Sequence, residues 1–318
     1  MELSTYACLA NNSDDDGSSD EESTTSLTSD HDTPFIENGR EYHCEECLLP
    51  NDNKARSRMT LQHWMLLLVQ EGELTLCSPT DPRRVLDINT GTGSWAVDYA
   101  TRFPRANVIG VDKSPIQPRS LPENLRFEVD DLSLEWTWRR KFDMIYARGL
   151  GTSFQEPEDI VNKALENLEP GGYFEVCEME FIPQSRDGSL REDSPLLAWS
   201  RVLELASHRL GYTINIAPRL KGLLARAGFE KVQEKCYSLP TNDWPWRQRH
   251  KRIGTYNYMT MGEDLEGLSL RLFTGGLGMS SEEVKTLCGA AKQDFGDRRI
   301  HAIFCLRVVY GRKPKSSE

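Results

Sequence analysis

An α/β fold, with a mostly parallel sheet flanked by helices, is predicted by three observations. The first is a buried strand running through a glycine turn into a helix, Arg84-Val85-Leu86-Asp87-Ile88-Asn89-Thr90-Gly91-Thr92-Gly93-Ser94-Trp95-Ala96. The second is a pair of further strands, each closing on an acid: Val108-Ile109-Gly110-Val111-Asp112, and Leu125-Arg126-Phe127-Glu128-Val129 followed by Asp130-Asp131-Leu132. The third is a helix stop, Leu168-Glu169-Pro170-Gly171-Gly172, after which Tyr173-Phe174-Glu175-Val176-Cys177 resumes as strand. Strands that alternate with helical patterns in this way build a parallel sheet.

Composition narrows the class of protein. With 318 residues and 38% hydrophobic content, the chain can bury one elaborated core. No run of about 18 apolar residues occurs, so no membrane span is expected. The start, Met1-Glu2-Leu3-Ser4-Thr5-Tyr6, has neither the basic nor the apolar region of a secretory signal. The net charge of −11 is concentrated, because residues 1–40 hold ten acids and one base, leaving 39 acids and 37 bases elsewhere. The remainder is near neutral and offers no broad basic face, which disfavours direct nucleic-acid binding.

Residues 11–34 are mostly Ser, Thr and acids, as in Ser13-Asp14-Asp15-Asp16-Gly17-Ser18-Ser19-Asp20-Glu21-Glu22. They carry too little apolar surface to offset their ordering entropy, so a disordered tail is expected. It either solubilises the chain or, with serines flanked by acids, acts as a phosphorylation-tuned docking segment. Cys44-Glu45-Glu46-Cys47 holds at most half a zinc site, and no second Cys/His pair stands at finger spacing, so no metal is expected. Free thiols elsewhere fit a reducing compartment, cytosolic or nuclear.

Along residues 57–77, Leu61, Trp64, Met65, Leu68 and Val69 recur at helical spacing, with Gln62 and His63 near the start of that helix. His63 either looks into a cavity or packs structurally. In the glycine turn, Gly91 and Gly93 lack a β-carbon, adopt positive φ readily and let the backbone pass close to a ligand. Asn89, where a third glycine is common, tolerates left-handed geometry better than most residues. Gly91-x-Gly93-x-x-Ala96 also satisfies a dinucleotide fingerprint, so an NAD(P)-dependent oxidoreductase stays open at this point. In either reading Asp112, at a strand's carboxyl end, receives a ribose diol.

The acid after the third strand separates the two. In S-adenosylmethionine sites an acid at that place, here Asp130 or Asp131 with Leu132 beside it, accepts the adenine amino group under apolar and aromatic cover, for which Trp136 and Trp138 are available. The fourth strand, Phe142-Asp143-Met144-Ile145-Tyr146-Ala147-Arg148, is of the kind that faces the methionine end, and no Tyr-x-x-x-Lys pair follows it. Glu175, Glu178 and Glu180 close the fifth strand; Glu178 is expected nearest the transferred methyl, with Glu180 a solvated neighbour. Residues 181–194 read as a loop bordering the cavity. Residues 198–210 read as a helix bearing His208, and 219–227 as the helix before a sixth strand at Phe229-Glu230-Lys231-Val232. Residues 239–278, with Trp244-Pro245-Trp246 and Tyr256-Asn257-Tyr258-Met259, wall an apolar pocket or pack a lid. Ser280-Ser281-Glu282-Glu283 starts the helix that feeds the last strand, 301–310.

Several motifs in order resemble the fungal LaeA-like (velvet-partner type) class I S-adenosylmethionine-dependent methyltransferases. They are Gly110-Val111-Asp112-Lys113-Ser114-Pro115-Ile116-Gln117-Pro118, Phe127-Glu128-Val129-Asp130-Asp131 with Trp136, Arg148-Gly149-Leu150, and Gly171-Gly172-Tyr173-Phe174-Glu175-Val176. Leu49-Pro50-Asn51-Asp52, Leu61-Gln62-His63, Trp244-Pro245, His301 and Tyr310-Gly311-Arg312-Lys313-Pro314 extend the likeness over residues 42–314. The resemblance implies a Rossmann-like, seven-stranded mostly parallel sheet flanked by helices, with helical lid insertions. It implies an acidic tail over 1–40 and one domain over 41–318, divided into a lid-helix region (41–82), a cofactor half (83–180) and substrate-side insertions (181–318). The cofactor residues are then Asp87, Asn89, Gly91, Gly93, Asp112, Asp130, Asp131, Leu132 and Arg148. Glu178, His63 and His208 are the candidates to take a proton from a hydroxyl or amine acceptor, a small secondary metabolite. The family also contains regulators of secondary metabolism. A protein that works by binding a regulatory partner through its acidic tail is therefore the alternative, and a cofactor-free scaffold, for which Asn89 speaks, the last.

Overall fold

The computed structural model describes residues 35–44 and 47–315. The disorder expected of the acidic tail up to residue 34 concerns residues outside those described. Among the described residues, no helix is long and apolar enough to cross a membrane.

The sheet is built outward from β3 (Arg84–Ile88), whose Val85, Leu86 and Ile88 are fully buried. An apolar run of this kind suits a central parallel strand covered on both faces. It lies between β4 (Asn107–Asp112) and β6 (Phe142–Arg148), with β5 (Leu125–Val129) outside β4 and β7 (Leu168–Met179) outside β6, all parallel. β9 (Ile303–Arg312) then runs antiparallel between β7 and the edge strand β8 (Glu230–Pro240). The order is β5-β4-β3-β6-β7-β9-β8, as the sequence predicts for a seven-stranded, mostly parallel sheet. The chain leaves β3 to one side for β4 and returns to the other for β6, and the crevice beyond the carboxyl ends of these strands is where ligands bind in open α/β sheets.

α2 (Ser94–Arg102), α4 (Pro157–Asn167) and α6 (Leu220–Ala227) follow the strand–helix alternation, and a short α3 (Leu150–Ser153) leaves β6 directly. A second helical group, α1 (Asn53–Val69), α5 (Pro195–Arg209), α7 (Gln248–Thr260), α8 (Leu265–Leu277) and α9 (Ser281–Gly296), packs α1 on α7 and joins α5, α8 and α9 to one another. α9 begins with Ser280 and Glu283 in a reciprocal capping box, as its sequence predicts.

Two boundaries differ from the sequence reading. α1 starts at Asn53 because Asp52 caps it, accepting from the Ala55 N–H at 2.9 Å, and ends at Val69 before Glu71 and Gly72, both at positive φ. Gln62 and His63 therefore sit mid-helix. The domain begins before residue 41: β1 (Phe35–Glu37) and β2 (Arg40–Tyr42) form a hairpin through Asn38-Gly39, both at positive φ, the residue pair that such a turn favours. Arg271 of α8 ties this hairpin down, donating to Glu37 Oε2 at 2.7 Å and to the carbonyls of Cys44 and Cys47 at 2.9 and 2.6 Å.

Candidate active site

The turn after β3 is left-handed at three places, Asn89 (φ 55°), Gly91 (φ 55°) and Gly93 (φ 74°). Asn89 Nδ2 donates to the Arg148 carbonyl (3.3 Å), Thr90 N–H to the Val111 carbonyl (3.1 Å), and Thr90 Oγ1 to Asp87 Oδ2 (2.6 Å). The turn is thereby fastened to both strands that flank β3. Asp87 is buried behind it, does not line the cavity, and has its carboxyl pushed up to about 7 by burial, against the opposing effect of the Thr90 hydroxyl.

Asp112 closes β4 and lines the cavity. It accepts from Gly91 N–H at 2.8 Å and Ser114 N–H at 2.9 Å, and burial raises its carboxyl above the usual range despite those bonds. Gln117 Nε2 donates to the Gly91 carbonyl (2.8 Å), so Gly110–Gln117 and the glycine turn hold each other. Asp130 and Leu132 line the same cavity, with Val111 and Ile116 as apolar neighbours. Asp131 does not: it turns to Lys113 Nζ at 2.9 Å and to Ser133. Nor do the two tryptophans form a cover, because Trp138 packs edge-on to Phe142 in the core and Trp136 against Trp138.

At the end of β6, Arg148 also lines the cavity. Its Nε donates to Tyr146 Oη at 2.7 Å, and its Nη1 to His63 Nδ1 at 3.1 Å. Tyr146 is stacked on Trp95 at 4.0 Å, with planes 1° apart, and Trp95 Nε1 is anchored on the Leu74 carbonyl. Because arginine has only donors, His63 Nδ1 must be the acceptor; the imidazole proton is then on Nε2 and points to Asp98 Oδ2 at 2.8 Å. Burial lowers the His63 pKa, more than the Asp98 hydrogen bond raises it. Both ring nitrogens are therefore engaged, and His63, which lines the cavity, joins α1 to Asp98 of α2 and to Arg148.

The three glutamates of β7 separate. Glu175 is fully buried and accepts from Leu76 N–H and Cys77 N–H at 2.8 and 2.7 Å, closing the loop before β3. Glu178, three residues on, is also buried (2% exposed) but lines the cavity. The nearby backbone N–H groups of Gly151, Leu150 and Met179 favour its ionised form, yet burial outweighs them and pushes its pKa up to about 8; its Oε2 has no partner among the described residues. Glu180, expected to be solvated, is instead buried and held by Arg307. His208 stands exposed on α5 and does not line the cavity.

Asn89, Gly91, Asp112, Asp130, Arg148 and Glu178 thus line one cavity of about 310 Å³, whose wall also includes Met59, Gln62 and Met65 of α1, Asn257 and Thr260 of α7, and Leu268 of α8. That volume is in the range of small-molecule sites. Cys44 and Cys47 also border it and are joined as a disulfide with 5.3 Å between Cα atoms, so in this state they are not thiolate ligands. None of the aromatics of 239–278 lines the cavity: Trp244 stacks on His301 at 4.6 Å, Tyr258 packs on Phe295, and Trp246 stands exposed. Sequence reasoning missed Asn257 and Arg58, which line the cavity, and Tyr146, which accepts from Arg148 behind it; only Tyr146, two residues before Arg148 on one face of a strand, carried a signal that could have found it.

A sheet of this order, with a left-handed glycine turn after its central strand and acids at the ends of the next two, defines a class I methyltransferase fold. Residues 56–234 match the methyltransferase-domain family. The chain is 32% identical over 296 residues to methyltransferase pytC of Aspergillus terreus, covering 91% of each chain. It is 31% identical over 295 residues to the secondary metabolism regulator LAE1 of Cochliobolus heterostrophus, covering 88% of this chain and 95% of that one. Among solved structures, phosphoethanolamine N-methyltransferase 2 of Haemonchus contortus shares the fold at TM-score 0.50 and 14% identity, over 83% of this chain and 58% of that one. The chain belongs to the fungal LaeA-like family of S-adenosylmethionine-dependent methyltransferases.

Proposed function

We propose that the cavity holds S-adenosylmethionine with Asp112 on the ribose diol, Asp130 and Leu132 at the adenine, and Arg148 with the turn of Asn89, Gly91 and Gly93 at the methionine end. A carboxylate for a diol, a carboxylate for an exocyclic amine and a guanidinium for a carboxylate are the chemical complements of the three polar parts of that molecule. Asp87 acts one step back, through Thr90. The cofactor supplies a methyl group already activated on a sulfonium. The protein's task is then to align an acceptor, keep water out and take the acceptor's proton.

The observation that carries the reading is Glu178, a carboxyl buried in the cavity with one oxygen unpartnered and its pKa raised by burial. We assign it as the base for a hydroxyl or amine on a small secondary metabolite. Titration calorimetry tests the cofactor half. S-adenosylmethionine should bind in the micromolar range and not be displaced by NADPH. Asp112→Ala should weaken it by roughly 10- to 100-fold, the loss expected for hydrogen bonds to a charged group. Unchanged affinity in the variant would remove Asp112 from the ribose.

We propose in addition that the acidic tail docks a regulatory protein, a reading favoured by the near full-length likeness to a secondary metabolism regulator and by the ten acids of residues 1–40. Affinity purification from fungal cells should recover a partner with the full chain and less of it after deletion of residues 1–34, which leaves the β1–β2 hairpin in place. Equal recovery would sink the tail as the docking element.

A further inference from the structure

The cavity contains one cation that neither the cofactor assignment nor the fold explains. Arg58, on the cavity face of α1, is 9% exposed and lines the cavity beside Met59 and Gln62. It belongs to a cluster of three cations and two carboxylates. Arg40 donates to Asp52 (2.5 and 3.1 Å) and to Asp264 (3.0 Å), and Lys54 Nζ lies 2.9 Å from Asp264. Arg58 is left with the longest contact, Nε to Asp264 Oδ2 at 3.6 Å, and among the described residues that Nε has no hydrogen-bond acceptor. The cluster's surplus positive charge thus falls on the one member that lines the cavity. A buried guanidinium without a full partner is costly, and an anion delivered by a ligand removes the cost.

The position of Arg58 says which end of the ligand that is. His63, which touches Arg148, lies five residues further along α1, about 7.5 Å by helical rise. Arg58 is therefore set apart from the Arg148 end of the cavity, whose lining also includes the apolar Leu48, Met59, Met261 and Leu268 beside the polar Asn51, Asn257 and Thr260.

We propose that Arg58 is the anion subsite of the acceptor pocket: the molecule methylated here has an apolar body and carries a carboxylate that pairs with Arg58, away from the atom that receives the methyl group. The assignment deepens the reading of Glu178 as the proton acceptor and rests on it. Arg58 is a specificity residue and takes no part in the chemical step.

The test uses full-length protein saturated with S-adenosylhomocysteine, titrated calorimetrically at pH 7 with 4-phenylbutanoate and 6-phenylhexanoate and with their primary amides. Acid and amide are near in shape and differ in charge. The better acid should bind the wild-type protein about tenfold or more tighter than its amide, the worth of a charge-assisted pair. Arg58→Met should bring that ratio to about one, and Arg58→Lys should retain part of it. Equal affinities for the wild-type protein, no binding of either acid, or a preference that survives in Arg58→Met overturns the assignment. Should Arg58→Met not fold, the wild-type ratio and Arg58→Lys decide. Failure of S-adenosylhomocysteine itself to bind would instead overturn the methyltransferase reading, and this assignment with it.

Discussion

Glu178→Gln is expected to lower kcat/KM for the methylated acceptor by about 10²- to 10³-fold, the range for loss of a general base, while leaving S-adenosylmethionine affinity unchanged. The reason is in the two halves of the carboxyl's surroundings. The nearby backbone N–H groups of Gly151, Leu150 and Met179 favour its ionised form, burial opposes them, and its Oε2 has no partner; glutamine keeps the shape of the group but cannot take a proton. With the folded pKa near 8, the group is protonated at neutral pH, and kcat/KM in the wild-type protein should rise with pH and level off above about 8. The variant should lose this limb. Stability gives a second readout with a definite sign. The folded pKa is raised above the ordinary carboxyl value of 4.5, so the Glu178 contribution is fully present below 4.5 and is lost as pH rises through about 8. Glu178→Gln should therefore melt higher relative to wild type at pH 8 than at pH 4. A variant that keeps the alkaline limb would exclude Glu178 as the base.

The parts of the site that were legible in the sequence are those whose chemistry is local. An apolar strand, an asparagine and two glycines are enough to suggest a left-handed turn, because tolerance of positive φ is a property of the residue itself, and Asn89, Gly91 and Gly93 all have φ above +50°. Asp112 and Asp130 were legible for a similar reason: a residue at or just past a strand's carboxyl end lies at the ligand edge of the sheet wherever its partners are. What was not legible depends on which distant segment packs next door. Trp136 and Trp138 follow a strand and suit a ring cover, but Phe142 offers them the core. His63 is on a helix facing the cavity, yet its role is set by Asp98 and Arg148, 35 and 85 residues away. Three glutamates near the end of one strand are not equivalent, since 175 and 178 differ by an odd number and face opposite sides; only packing decides that one closes a loop and the other a cavity. Arg58 and Asn257 enter the site through the docking of α1 on α7, which no spacing in either helix encodes.

Gly93→Ala should unfold or loosen the cofactor half more than any comparable one-carbon change in the turn. Gly93 is held at φ 74°, a conformation that costs an L-residue roughly 1–2 kcal/mol, and a β-carbon there would lie 2.3 Å from Phe127 Cζ. No real contact is that short. Either the Phe127 ring or the turn must move, an overpacking cost of about 1–3 kcal/mol. The two terms together predict a loss of about 2–5 kcal/mol in denaturant unfolding. Because α2 starts at Ser94, directly after this residue and without a side-chain cap, displacement of the turn also carries Thr92 and Ser94 out of the cavity wall, and S-adenosylmethionine affinity should fall about 100-fold. Gly91→Ala is the control. Its φ of 55° is nearer the left-handed well, and its β-carbon would meet only the flexible Met59 Sδ at 3.3 Å, so it should lose less stability. Adding Phe127→Leu to Gly93→Ala separates the two costs, since it relieves the clash and leaves the strain. Recovery of about half the lost stability in the double variant is the expected result, and no recovery would assign the whole penalty to the backbone.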